Sequence, residues 1–210
     1  MQSVALIDYG SGNLRSAEKA LVKAADGESQ IVVTCDPDIV AAADRIVLPG
    51  VGAFSACMTA LSERPGLIEA MTEAVRGKGA PFLGICVGMQ LLATRGLEFG
   101  ETRGLDWIGG DVRRIESHDP AIKIPHMGWN TLIGASGPDL IARIGAAPMY
   151  FTHSFAFYPD DENDVAAWVD HGGQFPAAVA NGNIAGVQFH PEKSQSAGLA
   201  LLARFLEWRP

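Results

Sequence analysis

A single cysteine stands at the centre of residues 84–88, which read GICVG. The apolar residues before it are typical of a buried strand, and those after it are typical of the first turns of a helix. A sharp turn between the two would strain the Cys86 backbone, and the flanking glycines would relieve the crowding. The free N–H groups and the dipole of the following helix would favour the thiolate, the nucleophilic form of cysteine. The pattern predicts a nucleophile elbow, with an unreactive buried cysteine as the alternative.

A nucleophilic cysteine needs a base, and the segment GVQFHPEKS contains the best candidate among the five histidines. His190 follows the apolar run 184–189, which is typical of a strand, and Pro191 prevents that strand from continuing. Glu192 is close enough in sequence to accept a hydrogen bond from the imidazole and to fix its orientation. Cys86, His190 and Glu192 are therefore predicted to be nucleophile, base and orienting group. A loop histidine without a chemical role is the alternative.

Glycines in a third segment, LPGVGAF at residues 48–54, follow another apolar run. Glycine lets backbone N–H groups face a ligand without obstruction by a side chain. The N–H groups of Val51 or Gly52, together with that of Val87, are predicted to hold the oxyanion that forms when sulfur attacks a carbonyl. One such donor is typically worth about a hundred- to a thousandfold in rate. A tight turn that needs glycine only for its shape is the alternative.

The composition argues against several other classes of protein. The net charge of −8 disfavours a nucleic-acid-binding surface, because such a surface needs clustered Lys and Arg. The three cysteines are an odd number without C-x-x-C spacing, so neither a disulfide framework nor a zinc knuckle is predicted, and no cofactor is expected. No apolar run is long enough for a membrane span, and the N-terminal residues do not resemble a secretory signal. We therefore expect a cytoplasmic protein.

The order of the predicted elements indicates the fold class. In the first half of the chain, short apolar runs alternate with longer helical patterns. The predicted strands are 4–9, 30–34, 45–49 and 81–85, and the predicted helices are 13–25, 54–61 and 67–76. This alternation predicts a parallel sheet covered by helices on both faces, with sites at the carboxyl ends of the strands.

In the second half of the chain, strands and helices no longer alternate. Short strands follow one another between Gly104 and Val187, and the NGN at 181–183 indicates a tight turn between two antiparallel strands. A final helix is predicted at about 194–208. Because no linker or repeat divides the chain, we expect one α/β domain over residues 1–210, with a mixed, mainly parallel central sheet and extra antiparallel strands in its second half.

These motifs resemble those of a known family, the class I (triad-type) glutamine amidotransferases. The general marks are the elbow G-x-C-x-G-x-Q at 84–90 and the H-P-E at 190–192. More specific marks resemble one group within the family, which provides the glutaminase subunit of imidazole glycerol phosphate synthase. These are IDYGSGNLRS at 7–16, LPGVGAF at 48–54, IPHMGWN at 124–130, YFTHSF at 150–155 and GVQFHPEKSQ at 186–195. The resemblance covers nearly the whole chain.

The resemblance implies a reaction and a role for each matching residue. Cys86 would attack the side-chain amide of glutamine, and His190 would move the protons that release ammonia and let water cleave the γ-glutamyl thioester. The substrate pocket would be formed by Gly50, Gln90, Glu98, His153, Ser154 and Phe155. The family commonly has tyrosine at the last of these positions, so any hydrogen bond from that hydroxyl is lost here.

The resemblance also implies a partner, a barrel-shaped cyclase subunit that receives the ammonia within a heterodimer. Its products would be imidazole glycerol phosphate and an aminoimidazole carboxamide ribotide, in histidine biosynthesis. Met127 and Trp129 would lie in the docking face, Lys193 could form an ion pair across it, and Asn13 would lie near its rim. A buried tryptophan with a methionine filling a gap, and a solvated lysine, are the alternatives. We expect the isolated chain to be a poor glutaminase, because the oxyanion peptides should need the partner to set them.

Two other functions compete with this hypothesis. One is a different cysteine hydrolase, or an amidotransferase that serves another synthase, on a similar sheet. The other is a binding or regulatory subunit that kept the fold and lost activity. The occurrence of H-P-E together with PHMGWN disfavours the first, and the retention of Cys86, His190 and Glu192 disfavours the second. Of the remaining histidines, we expect His126 and His153 to be structural and those at positions 118 and 171 to lie on the surface.

Overall fold

The computed structural model describes the whole chain, Met1–Pro210. In chain order its elements are β1 (Gln2–Ile7), α1 (Leu14–Ala25), β2 (Ser29–Thr34), α2 (Pro37–Ala42), β3 (Arg45–Gly50), α3 (Phe54–Ser62), α4 (Leu67–Thr72), β4 (Phe82–Cys86), α5 (Val87–Gln90), β5 (Arg95–Gly96), β6 (Thr102–Arg103), β7 (Gly110–Arg114), β8 (His126–Asn130), α6 (Asp139–Ala142), β9 (Met149–His153), β10 (Phe155–Pro159), β11 (Val165–Asp170), β12 (Gln174–Asn181), β13 (Ile184–Val187) and α7 (Gln195–Glu207). A π-helical turn at Glu73–Gly77 and 3₁₀ turns at Glu162–Asp164 and Pro191–Lys193 complete the regular structure.

The central sheet has seven strands in the order β11-β12-β13-β4-β3-β1-β2. The strands from β13 to β2 in this order are parallel, and β12 is antiparallel to both of its neighbours. The predicted fold class is confirmed, and so is the antiparallel pairing around the Asn-Gly-Asn turn. The middle strands carry unbroken apolar runs because both of their faces are covered.

Two smaller sheets are formed by the chain between β4 and β13. One has four strands in the order β10-β7-β5-β6, and the other is the antiparallel ribbon of β8 and β9. These strands account for most of the short consecutive strands that were predicted in the second half of the sequence. No helix combines the length and the apolar character that a membrane span requires.

Three helices differ from the sequence-based expectation: α5, α2 and the four-residue α6, which lies in a region where only strands were predicted. The helix after the elbow, α5, is a single turn, because the carbonyls of Leu91 and Leu92 accept hydrogen bonds from the loop N–H groups of Leu105, Trp107 and Ile108. These tertiary hydrogen bonds replace those that would continue the helix. Helix α2 was not among the predicted elements, although its start carries the usual signals.

The start of α2 shows which signals were missed. The Asp36 carboxylate accepts a hydrogen bond of 2.9 Å from the Asp38 N–H, and Pro37 occupies the first helical position. An aspartate cap followed by proline is a common helix start. We infer that this six-residue helix escaped detection because it is too short for an apolar period to show.

Candidate active site

Cys86 lies at the carboxyl end of the central strand β4, opposite Gly50 of β3. Its backbone has φ 55° and ψ −113°, a conformation that a non-glycine residue adopts only under strain. A Cβ at Gly84 would lie 2.6 Å from the Gly88 carbonyl oxygen, and one at Gly88 would collide with the Leu48 carbonyl. Both glycines are therefore required by the close approach of neighbouring backbone. The predicted elbow geometry is confirmed.

His190 follows the neighbouring parallel strand β13, which pairs with β4. Its Nδ1 lies 2.8 Å from Glu192 Oε1, and both side chains are 2% exposed. The His190 N–H donates to the Tyr150 carbonyl at 2.9 Å, and the His190 carbonyl accepts from the Ser194 hydroxyl at 2.6 Å. The backbone and the ring are thus both held. Adjacent parallel strands bring His190 to the same end of the sheet as Cys86, although the two residues lie far apart in sequence.

Several opposing effects act on the His190 pKa. Burial acts to lower it, but the hydrogen-bonding capacity and negative charge of Cys86 and Glu192 outweigh burial and raise the pKa to about 9. No hydrogen bond of acceptable geometry reaches the buried Nε2, so the influence of Cys86 is that of a close neighbour rather than of a formed bond. The imidazolium is therefore favoured at neutral pH, with Nδ1 committed to the glutamate.

Cys86 and His190 open onto the same cavity, which has a volume of about 610 Å³. Its wall is formed by Gly12, Asn13, Val51, Gly52, Cys86, Val87, Gln90, Glu98, Thr152, His153, Ser154, Phe155, His190 and Lys193. The structure thus brings together most of the residues that the sequence analysis singled out. It holds the carboxylate of Glu192 behind the histidine, away from the cavity. No group of three or more His, Cys, Asp or Glu side chains is arranged to hold a metal ion.

Gly50 is not among the residues that line this cavity, and its predicted contact with substrate stays a prediction. It lies beneath the elbow, where an added Cβ would stand 2.8 Å from the Gly88 nitrogen and 2.9 Å from the Tyr9 hydroxyl. The Tyr9 hydroxyl in turn donates to the Pro49 carbonyl at 2.8 Å. Glycine is needed at position 50 because backbone and a buried phenol pack against it.

The loop after β3 is held by hydrogen bonds to the side chains of Ser11 and Cys57. The Val51 N–H is directed at the Ser11 hydroxyl, with 3.5 Å between the heavy atoms, and that hydroxyl donates back to the Val51 carbonyl at 2.9 Å. The Cys57 thiol donates to the same carbonyl at 3.3 Å. The Val51 N–H therefore already has a protein acceptor, and this peptide would have to turn before it could serve an oxyanion. Gly52, at φ 95°, has the backbone freedom that such a turn requires.

The far wall of the cavity is organised by one backbone carbonyl, that of Phe155. It accepts hydrogen bonds of 2.9 Å from both Gln90 Nε2 and His153 Nδ1. The Phe155 side chain is not the hydrogen-bonding element, so the absence of a tyrosine hydroxyl leaves this arrangement intact. Glu98 lies at the mouth and accepts a 2.9 Å hydrogen bond from the Phe54 N–H, at the start of α3.

The predicted docking residues fall into two groups. Asn13 and Lys193 lie in the cavity wall, whereas Met127 and Trp129 lie on β8 outside it. Met127 is 63% exposed and Trp129 is 48% exposed, so the alternative of a buried tryptophan is wrong. The ring of Tyr150 joins the two groups, because it packs edge-on against Trp129 and lies 5.6 Å beneath the Lys193 ammonium.

Three histidines form a cluster that reaches the cavity at His153. His126 Nδ1 and His153 Nε2 are 3.1 Å apart, and His171 stacks on His126 with ring centroids 4.3 Å apart. Burial, with smaller effects from the charges of the neighbouring histidines, lowers the pKa of His126 to about 4 and that of His153 to about 3. Both are neutral packing groups, and His171 is part of their stack rather than an isolated surface residue.

One buried polar residue near Cys86, Gln188, was not predicted from the sequence. Gln188 is fully buried, and its Nε2 lies 3.7 Å from Cys86 Sγ. Its signal was present in GVQFHPEKS, where an amide interrupts an otherwise apolar run. Buried polar side chains need partners, so such an interruption indicates a hydrogen-bonded role.

Comparison with known proteins finds both sequence and structural relatives. Residues 5–208 match the sequence model of the family described as "Glutamine amidotransferase class-I". The chain is similar to "Imidazole glycerol phosphate synthase subunit HisH" of Caulobacter vibrioides, at 62% identity over the full length of both chains. It is 54% identical to the protein of the same description in Zymomonas mobilis subsp. mobilis, over 99% of this chain and 97% of the relative. A solved "glutamine amidotransferase" covers 97% of both chains with a TM-score of 0.71 and 19% identity, a likeness of fold.

Proposed function

Because the chain belongs to the class-I glutamine amidotransferase family, we propose that it is the glutaminase subunit of an imidazole glycerol phosphate synthase. It hydrolyses glutamine to glutamate and ammonia through Cys86, His190 and Glu192. The observation that carries the proposal is the elbow cysteine sharing one cavity with a histidine that is bound to a buried glutamate at 2.8 Å. The choice of imidazole glycerol phosphate synthase, among the synthases that use a glutaminase, rests on the names of the relatives.

The chemistry follows from the order of the three groups. The Cys86 thiolate adds to the carbonyl carbon of the glutamine side chain, and the carbonyl oxygen becomes an oxyanion. His190 donates its Nε2 proton to the nitrogen as the C–N bond breaks, which releases ammonia and leaves a γ-glutamyl thioester. His190 Nε2 then takes a proton from a water molecule as the water oxygen attacks the thioester carbon. The C–S bond breaks, which releases glutamate and regenerates the Cys86 thiolate. Glu192 holds Nδ1–H, so Nε2 remains the atom that exchanges protons.

The wall of the cavity suits the amino-acid end of glutamine. Glu98 supplies a carboxylate and Gln90 an amide oxygen, both acceptors suited to an α-ammonium group. The backbone of 153–155 closes the opposite side, and Val87, at the first position of α5, offers its N–H to the oxyanion. A second donor comes from Gly52 or Val51 once the loop after β3 has turned. Because Ser11 holds that loop, the isolated chain lacks a complete oxyanion site.

The partner in this proposal is the cyclase subunit, and the two form a heterodimer. The ammonia passes to the cyclase, which makes imidazole glycerol phosphate and an aminoimidazole carboxamide ribotide in histidine biosynthesis. Met127 and Trp129 provide exposed apolar and aromatic surface beside the cavity, of the kind enriched at interfaces. The reaction takes place in the cytoplasm, a location in keeping with three cysteines that are all free.

A coupled assay tests this function. We expect glutamine hydrolysis by the isolated chain to be slow and to rise at least about a hundredfold with the cyclase and its ribotide substrate, because one oxyanion donor is worth that much.

Trp129→Ala should weaken cyclase binding or reduce the coupled rate by about tenfold or more, as expected for an aromatic hot spot. Glutamate release and ribotide turnover are the measurements.

Ile39→Ala is the matched control for the tryptophan. Ile39 is 42% exposed on α2 and does not line the cavity, so its loss should leave the coupled rate unchanged. Full glutaminase activity without any partner would contradict the proposed role of the loop. Unchanged cyclase binding together with an unchanged coupled rate in Trp129→Ala would contradict the proposed docking face.

The pH dependence tests the role of Glu192. Protonated His190 is the acid in the first step, so activity should fall as pH rises through about 9, where the imidazolium is lost. In Glu192→Gln the negative charge that raises the His190 pKa is removed, and the alkaline limb should move to lower pH by roughly one to two units. The measurement is kcat/KM for glutamine against pH in the assembled complex. An alkaline limb at the same pH in both proteins would refute the role of Glu192.

A further inference from the structure

The fully buried amide of Gln188 contacts two groups of the proposed active site. Its Oε1 accepts a hydrogen bond of 2.9 Å from Gln90 Nε2, and its Nε2 lies 3.7 Å from Cys86 Sγ. The Gln188 backbone N–H donates to the Ala177 carbonyl at 2.9 Å, which fixes the residue between β12 and the elbow. The proposed mechanism does not yet use this side chain.

The orientation of both amides follows from one acceptor. The Phe155 carbonyl can only accept, so the amide atom of Gln90 that faces it at 2.9 Å must be Nε2. That nitrogen also faces Gln188, so the facing atom of Gln188 must be its oxygen. The remaining amide atom of Gln188, the one near Cys86 Sγ, is then its N–H₂ group. The Phe155 carbonyl therefore fixes the Gln90 amide, and the Gln90 amide fixes that of Gln188. As a result, the Cys86 sulfur faces the N–H₂ group of Gln188.

The same constraints decide what Gln90 presents to a substrate. Its two N–H bonds are used by Phe155 and Gln188, so its oxygen is the amide atom without a partner in the protein. Gln90 lines the cavity, and an amide oxygen attracts an ammonium group. Without Gln188 the Gln90 amide would keep only its hydrogen bond to the Phe155 carbonyl, and its oxygen would be held less firmly toward the same ligand.

On the basis of the proposed function, we propose that Gln188 is a positioning residue with two effects. It directs an N–H donor at Cys86 Sγ, which stabilises the negative charge on sulfur. Together with the Phe155 carbonyl, it also holds Gln90 with its oxygen toward the α-ammonium group of glutamine. Hydrogen bonds to a charged atom are stronger than those between neutral groups, so the first effect acts mainly on the anionic sulfur.

The test uses Gln188→Met, which keeps the length of the side chain and removes the amide. The rate of Cys86 alkylation by iodoacetamide is measured against pH in the full chain, with the modified residue identified by mass spectrometry. We expect the midpoint of this profile to move to higher pH by about one unit, the equivalent of a charge-assisted hydrogen bond. In the complex with the cyclase, KM for glutamine should rise by about tenfold through the loss of Gln90 orientation.

Gln174→Met is the matched control, because Gln174 is an exposed glutamine in β12 and should change neither quantity. Gln188→Asn, which is too short to reach both partners, should move both in the same direction as Gln188→Met and serves if the latter does not fold. Folding of each variant is checked by its thermal midpoint and its assembly with the cyclase. A merely structural role would lower the thermal midpoint and leave the alkylation midpoint unmoved.

The outcomes separate this inference from the function on which it rests. If the unaltered complex hydrolyses glutamine and the folded Gln188 variants keep the alkylation midpoint and KM, the inference fails and the proposed function stands. If the unaltered complex does not hydrolyse glutamine, the proposed function fails. The alkylation profile then still decides whether Gln188 acts on the sulfur.

Discussion

Replacement of Cys86 by alanine should lower glutamine hydrolysis in the complex by at least about 10⁴-fold, the order of loss seen when a triad nucleophile is removed. The fold should survive, because Cys86 contributes a small buried side chain and alanine relieves part of the crowding at the elbow. The measurement is glutamate release from glutamine by Cys86→Ala mixed with the cyclase.

Two further measurements make this result specific. The same variant complex should still convert the ribotide when ammonia is supplied at high concentration, because the cyclase reaction does not need the sulfur. Cys35→Ala, which removes the exposed cysteine, should retain full activity. Undiminished hydrolysis of glutamine by Cys86→Ala would refute both the nucleophile and the proposed function.

A methyl group at position 88 should be more damaging to the fold than almost any other small substitution. The Cβ of Gly88→Ala would collide with the Leu48 carbonyl, and neither the strand β3 nor the elbow can move away without breaking sheet hydrogen bonds. We expect a loss of about 3 kcal/mol or more in the free energy of unfolding, the upper range for overpacking. Thermal or denaturant unfolding of the purified chain measures it.

Gly77→Ala is the matched control for the elbow glycine. Its added Cβ would meet only the flexible carboxylate of Glu73, and position 77 is exposed at the end of the π-helical turn. Its unfolding free energy should change by less than about 1 kcal/mol. Equal stability of the two variants would show that the elbow is not packed as described.

The parts of the site that were predicted are those whose signals are local. The elbow at Cys86 is specified by glycines two residues away on either side, and the Glu192 contact lies within two residues of His190. The alternation of elements also defined the fold class, because parallel strands require intervening helices.

The parts that were missed depend on contacts between distant segments. The length of α5 is set by hydrogen bonds from residues 105–108, and the state of Val51 is set by Ser11. Gln188 acquires its role only when β13 is placed beside β4, which no local pattern encodes. Sequence spacing cannot reveal such contacts, because each is decided by which strands become neighbours.

Strand β4, which ends at Cys86, and strand β13, which precedes His190, are neighbours in the sheet, yet the chain between them runs from Val87 to Asn183. This segment, residues 87–183, forms the far wall of the cavity, the β8–β9 ribbon and the surface beside it. Strand pairing places Cys86 and the start of the His190 segment side by side, whereas Gln90, Glu98, residues 153–155 and the exposed side chains of Met127 and Trp129 all lie in segment 87–183. Natural variation or engineering of this segment can therefore change what is recognised without rebuilding the part of the sheet that holds Cys86 and His190.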